Sequence, residues 1–308
     1  MSPPPLDNRG WLRKHLAQLM KAGQEIQAMD ASLPMKPSYD KGNWTGLKLI
    51  ALKYYIRPFL DLLGQKKTLA YVDLLAGPGL DRLGERQVPV PGSPLIPLVV
   101  QESQHRFQLI VVAERKTEYY SALVKRIDRM PGHPLVTSLK GDINLRMDEV
   151  IEALKQAGVE HSLVFIDPEG LEFTWSTIST LVGNLDCDVI VNFPSAGVAR
   201  CLAAEHTYET LSDFLGVGIN EVGQLDADGA IQVYRRKLAS LGLNISTEIE
   251  IPSGMGYRYH LIPAVRATQA GSPWFEPIFG SLKKRIGQTG PELLDLVAQQ
   301  IDGVLGEL

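Results

Sequence analysis

Cysteine is scarce in this 308-residue chain, which holds only Cys187 and Cys201. Two thiols cannot build a disulfide framework or a cysteine metal site, and a reducing cytoplasm fits. Long hydrophobic runs are missing as well. Stretches such as Leu109 to Ala113 and Val189 to Val191 fall far short of the ~18 residues that a membrane helix needs. The opening Met1-Ser2-Pro3-Pro4-Pro5 has no basic stretch followed by an apolar one, so no secretory signal is expected. There is no visible internal repeat and no convincing linker. One domain with additions is therefore expected rather than two. What is present is ordinary globular material: 44% hydrophobic and 21% charged residues, enough to build a core and to exclude disorder.

The net charge of −4 hides an uneven distribution. Residues 1–67 carry 11 Lys and Arg against 5 Asp and Glu, and the acidic excess lies in the remainder. Two readings stand: a basic arm for an acidic partner, or a basic segment docked on an acidic body. Arg9 to Met29 reads as a helix of weak pattern with Gly23 inside it. Thr45 to Leu63 reads as a stronger helix that Pro58 should kink or end early.

After Lys67 the texture changes. Leu69 to Leu75 reads as a buried strand ending in Ala76-Gly77-Pro78-Gly79. A polar loop follows, and then a helix with Ser93 as N-cap and Pro94 at its first position. Strands at 108–113, 135–139, 162–166 and 188–192 alternate with helices at 117–129, 145–157 and 175–182. Short apolar strands alternating with helices predict a parallel sheet covered on both faces. Residues 199–241 read as a helical insertion in which Arg235-Arg236-Lys237 face solvent. A closing antiparallel pair is expected at 245–251 and 257–265, followed by helices from Pro273 and from Pro291. The divisions expected are a basic N-terminal extension 1–43, a core 44–270, and a C-terminal helical extension 271–308.

In an open parallel sheet, ligands sit beyond the carboxyl ends of the strands. Every strand end here carries an acid or an amide: Asp73, Glu114, Asp142, Asp167 and Asn192. Gly77 and Gly79 allow a sharp turn and a close ligand approach. The third glycine of a dinucleotide fingerprint is missing, and the absence of a following Lys-Ser/Thr excludes a P-loop. Glu114 follows Ser93 by 21 residues, a spacing at which an acid accepts hydrogen bonds from ribose hydroxyls. Asp142 reads equally as an acceptor for an adenine amine and as a helix cap. In Asp167-Pro168-Glu169-Gly170, Pro168 fixes the turn and Asp167 is held at the sheet edge. Glu169 can take a substrate proton if desolvation raises its pKa, the alternative being an ordinary turn. Asn192 can orient a substrate and Phe193 can stack on a base, or Phe193 is simply buried. Trp175, just past the fourth strand end, reads mainly as core.

Taken together these residues resemble the three-Cys-motif partner (TcmP) family. The resemblance rests on Leu47-Lys48 to Tyr54-Tyr55, Tyr71 to Gly79, Gly92-Ser93-Pro94-Leu95, Phe165 to Gly170, Val191 to Pro194 and Tyr257 to Ile262, roughly residues 44–266. The combination is much more specific than any one piece. The family usually has an aromatic residue before Ala-Gly-Pro-Gly and after Asp-Pro, where this chain has Leu75 and Glu169.

The resemblance implies a Rossmann-like, doubly wound, mostly parallel α/β fold of the class I methyltransferase type, with helical additions. It implies S-adenosyl-L-methionine as cofactor and a radical-SAM-like partner bearing a three-cysteine motif. Asp73, Ala76, Gly77 and Gly79 would line the methionine moiety, Glu114 the ribose and Asp142 the adenine. Asp167, Pro168 and Glu169 stand where amino-methyltransferases bind the attacking amine, without the second proline and the aromatic of that motif. The acceptor expected is a nucleic acid, on the basic first 67 residues and the clusters Arg235-Arg236-Lys237 and Lys283-Lys284-Arg285. No metal is expected in that reading. The alternatives are a non-catalytic cofactor-binding partner, motivated by Glu169, and a nuclease holding magnesium through Asp73, Asp142, Asp167 and Glu169. The latter leaves Gly77 and Gly79 without a role.

Overall fold

Ten strands and twelve helices are found among the residues that the computed structural model describes: 7–36, 44–84, 86–100, 105–130, 135–251, 259–266 and 274–305. The strands are β1 (Leu69–Asp73), β2 (Leu80–Leu83), β3 (Val88–Pro91), β4 (Leu109–Glu114), β5 (Leu135–Lys140), β6 (His161–Ile166), β7 (Cys187–Phe193), β8 (Leu243–Ile245), β9 (Ile249–Ile251) and β10 (Tyr259–Arg266). The first helices are α1 (Asn8–Met29), α2 (Trp44–Leu63), α3 (Ile96–Val99), α4 (Thr117–Arg129), α5 (Met147–Gln156) and α6 (Trp175–Asn184). They are followed by α7 (Ser195–Leu202), α8 (Tyr208–Leu215), α9 (Ile219–Val222), α10 (Ala227–Ser240), α11 (Phe275–Gly287) and α12 (Pro291–Leu305).

The main sheet runs β5-β4-β1-β6-β7-β10-β8, with β9 also paired to β10. Pairs from β5 to β7 are parallel, and β10 is antiparallel to β7, β8 and β9. The chain winds outward from β1 to β5, returns to β6 beside β1, and winds outward the other way. The switch point therefore lies between β1 and β6. This is a Rossmann-like, doubly wound sheet, and the antiparallel β10 set between β7 and β8 gives it the class I methyltransferase arrangement.

Side chains alternate along each strand, so the sheet carries two cores. Tyr71, Ile110, Val112, Phe165 and Ile190 face one core with α1, α2, α3, α4, α11 and α12. Val72, Val111, Ile166, Val191 and Phe193 face the other with α5, α6, α7, α8 and α10.

Helix α1, inside the expected N-terminal extension, belongs to the first core. Its Asp7 cap accepts from the Gly10 N–H at 2.7 Å, and Trp11, Leu12, Leu16, Leu19, Met20 and Ile26 are buried. Gly23 is its point of closest approach to β3, since a Cβ there would lie 2.1 Å from the Pro89 carbonyl oxygen.

Several expectations are corrected. The helix α2 runs through Pro58 without ending, because Tyr55, Ile56, Phe59 and Leu60 are all buried around it and packing outweighs the lost bond. The expected polar loop holds the β2–β3 hairpin. Pro89 and Pro91 are tolerated there because this two-stranded sheet leaves an edge that makes no ladder bonds. Ser93 does not cap a helix by its side chain. It opens a 3-10 turn capped by Gly92, and α3 follows. The strand expected over 245–251 is two strands, broken opposite Pro263, which has no N–H to donate. Arg235 and Lys237 do not simply face solvent. Arg235 is paired with Glu248, and Lys237 donates to the Gly216 carbonyl and lies over the Trp175 ring. Tyr257 and Pro273, expected element starts, lie outside the described residues. Among the described residues, no helix is long and apolar enough to cross a membrane.

Candidate functional site

The alternation that builds the first core also builds the site. Asp73, Glu114, Asp167 and Asn192 keep the parity of Tyr71, Val112, Phe165 and Ile190, so each strand's apolar row ends in a polar residue on the same face. A cleft of about 590 Å³, partly open to solvent, lies over the carboxyl ends of β1, β4, β5 and β6. Its wall includes Leu74, Leu75 and Gly77 after β1, Glu114 to Lys116 after β4, Gly141 to Ile143 after β5, and Asp167, Glu169 and Glu172 after β6. Lys36 and Tyr119 complete it.

Glu114 is nearly buried, and its two carboxylate oxygens are fixed by backbone donors. The Gly77 N–H donates to Oε2 at 2.8 Å and the Lys116 N–H to Oε1 at 2.6 Å. Gly77 has φ +63°, and a Cβ there would meet nothing nearer than the Lys36 Cδ at 3.9 Å. Asp142 caps not α5, as expected, but the short 3-10 turn Ile143–Leu145 before it, accepting from the Asn144 N–H at 3.0 Å, and it also stands on the cleft wall.

Asp167 is held from two sides. Lys48, from α2, donates to Oδ2, and the Asn192 Nδ2 donates to Oδ1 at 2.7 Å. Burial pushes the Asp167 pKa up, but Lys48 and Lys36 beside it and the hydrogen bonds from Lys48 and Asn192 bring it below the usual carboxylate value. Pro168 is buried as well.

Glu169 departs from its expected role. Burial raises its pKa, but Lys36 at 3.2 Å and Lys116 at 3.3 Å outweigh that and leave it lowered. A carboxylate stabilised as an anion is a poor proton acceptor at neutral pH. Its turn is organised by Glu172, which accepts from the backbone N–H groups of Glu169 and Gly170, each at 2.8 Å.

Other expected site residues lie off the cleft wall. Asp73 is fully buried, with a pKa raised to about 7. Burial is the main cause, opposed by hydrogen bonds from Ser93 and the Leu75 N–H. Ala76 is buried, with its N–H donated to the Ala113 carbonyl. Gly79, at φ +88°, packs on protein: a Cβ there would lie 3.0 Å from Leu123 and 3.1 Å from Leu95. Phe193 is fully buried against Phe214 and Tyr234 in the second core, so it cannot stack on a substrate. One residue separates it from the parity of Asn192, and that puts the two on opposite faces. Trp175 also packs against Tyr234.

Sequence reasoning missed Lys36, Lys48 and Glu172. The signal available was the excess charge of residues 1–67, two of whose lysines turn inward onto the acids. Among the described residues, no three His, Cys, Asp or Glu side chains come together so as to hold a metal ion. The four acids of the nuclease reading do not converge, and Asp167 and Glu169 are paired with lysines instead.

No family model matches the sequence, and no curated protein matches it. Among solved structures, the chain is similar to an O-methyltransferase from Bacillus cereus in complex with SAH, at 10% identity. The likeness covers 86% of this chain and 94% of that one, with a TM-score of 0.43. It is also similar to cofactor-bound Rv0187 from MTB (17% identity, 86% and 99% covered, TM-score 0.44). A third is Trm1 from Pyrococcus horikoshii with S-adenosyl-L-methionine (11% identity, 74% and 56% covered, TM-score 0.42).

Proposed function

We propose that this protein is an S-adenosylmethionine-dependent methyltransferase acting on nucleic acid. The observation that carries the reading is the Glu114 carboxylate, fixed at the switch-point cleft by two backbone N–H groups, one of them from Gly77. A carboxylate so held is pre-oriented to accept from a pair of ribose hydroxyls. Asp142, on the adjoining strand end, suits the amine of adenine.

The residues present fit the cofactor. Gly77 leaves the cleft wall open where a side chain would intrude. Five carboxylates and three cations line the cleft, a net −2 that favours a ligand carrying a sulfonium. When bound, the cofactor supplies an activated methyl group.

The chain's own residues supply position. Asp167, kept anionic by Lys48 and Lys36, accepts a hydrogen bond from an acceptor amine and turns its lone pair toward the cleft. Asn192 fixes the Asp167 carboxyl plane. Methyl transfer needs alignment above all, and such a pair provides it. Glu169 holds the cleft's lysines rather than a proton.

Support for a nucleic-acid acceptor comes from α1. Arg13, Lys14 and Lys21 are exposed on it, and the chain beyond leads directly to Lys36 at the cleft. The three-Cys-motif partner belongs to the same reading, on the motif resemblance alone.

The test is transfer of tritiated methyl groups to tRNA, rRNA, DNA and protein. Label in nucleic acid is expected, abolished by Asp167→Ala with S-adenosylhomocysteine binding retained. Cofactor binding without label on any acceptor would favour a non-catalytic cofactor-binding partner, the reading that the ion-paired Glu169 supports.

A further inference from the structure

Residues 33–36 form a strap laid against the Gly-Pro-Gly turn, and its fastening is unusually specific. The Lys36 N–H donates to the Leu80 carbonyl at 2.8 Å, and the Lys36 backbone forms an isolated parallel β-bridge with that of Asp81. Arg126, from α4, is almost fully buried and spends its guanidinium on carbonyls of both partners. Its Nη1 donates to Pro34 at 2.9 Å and to Pro78 at 2.5 Å, and its Nη2 to Leu33 at 3.1 Å. Burying a guanidinium is costly, and here one such group ties the strap to the turn that carries Gly77.

The strap delivers one side chain to the cleft. Lys36 is largely buried, with its stem over Gly77 and its ammonium 3.2 Å from the Glu169 carboxylate. Glu114 and Asp142 occupy the β4 and β5 end of the same cleft, and Lys36, with Asp167 and Glu169, occupies the β6 end. A ligand whose adenosine lies toward β4 and β5 therefore presents its other end to Lys36. That end is an α-amino acid, a carboxylate beside an ammonium. A lysine set among carboxylates is complementary to both charges.

We propose that Lys36 anchors the carboxylate of the cofactor's amino-acid end, and that Arg126 is the positioning residue that holds Lys36 over the cleft. The proposal rests on the cofactor reading above.

Two ligands separate them in calorimetric titrations. S-adenosylhomocysteine carries the amino-acid end, and 5′-methylthioadenosine lacks it. Lys36→Met is expected to weaken S-adenosylhomocysteine roughly ten- to hundredfold, as loss of a charge-assisted hydrogen bond does. It should leave 5′-methylthioadenosine unchanged, and Lys36→Arg should restore most of the loss. Arg126→Gln is expected to give the same selective loss, a ratio that general destabilisation would not move. The Lys36 variants, at the cleft wall, keep the test open if Arg126→Gln does not fold. Equal weakening of both ligands by Lys36→Met, or no weakening of either, would overturn the proposal while leaving the cofactor reading intact. Failure of the wild-type protein to bind either ligand would overturn the cofactor reading itself, and this proposal with it.

Discussion

Single residues set the electrostatics of the cleft. Asp73 is a fully buried acid whose pKa is raised to about 7, mainly by burial. The folded state therefore holds its proton more tightly than the unfolded chain, whose value is about 4. Stability from this group is complete below about pH 4 and is lost as pH rises through about 7. Asp73→Asn should remove that loss, so the variant gains on the wild type in urea unfolding across this window; a constant difference would contradict the assignment. Lys48 and Asp167 form a buried pair of the opposite kind. Lys48→Met strands the carboxylate and should cost about 3 kcal/mol. Lys48→Met with Asp167→Asn should recover much of that, and additive losses in the double variant would argue against the pairing. The acids at the strand ends were legible in the sequence because strand ends recur at readable intervals. Their lysines were not, because Lys48 meets Asp167 across 119 residues of chain. Of the two roles open to Phe193, its parity with Val191 on the second-core face decides for burial over stacking.

At the level of elements, α1 shows how local propensity misleads. Gly23 weakens the sequence pattern of a helix, yet it is the residue that lets α1 touch the backbone of β3. In an exposed helix Gly→Ala gains about 1 kcal/mol. Here the Cβ would overlap the Pro89 carbonyl, so Gly23→Ala should destabilise the protein by about 2 kcal/mol or more. A raised denaturation midpoint would contradict the close packing. The β2–β3 hairpin escaped sequence reading for a related reason, since two prolines argue against a strand until its partner is known. The helix α4, whose expected bounds are those observed, was legible from a strongly one-sided apolar pattern.

For the whole molecule, the doubly wound order was legible because buried parallel strands read as short apolar runs between amphipathic helices. The place of the N-terminal charge was not, because it depends on which basic residues the fold turns inward. Lys36 and Lys48 meet acids at the cleft, and Arg13, Lys14 and Lys21 remain on the outer side of α1. The docked reading therefore describes part of the segment, and the exposed residues of α1 are the part on which the other reading depends. Replacing Arg13, Lys14 and Lys21 with Gln should leave the unfolding midpoint nearly unchanged. If they meet phosphates, it should also lower the salt slope of nucleic-acid binding by up to about 3. An unchanged slope would move the acceptor's path elsewhere. The central claim is that the switch-point cleft holds a nucleoside cofactor. The measurement that tests it most directly is a crystal structure of the protein soaked with millimolar S-adenosylhomocysteine. The account expects the ribose hydroxyls within hydrogen-bonding reach of Glu114 and the adenine toward Asp142. An empty cleft, or the ligand bound away from Glu114, would contradict it.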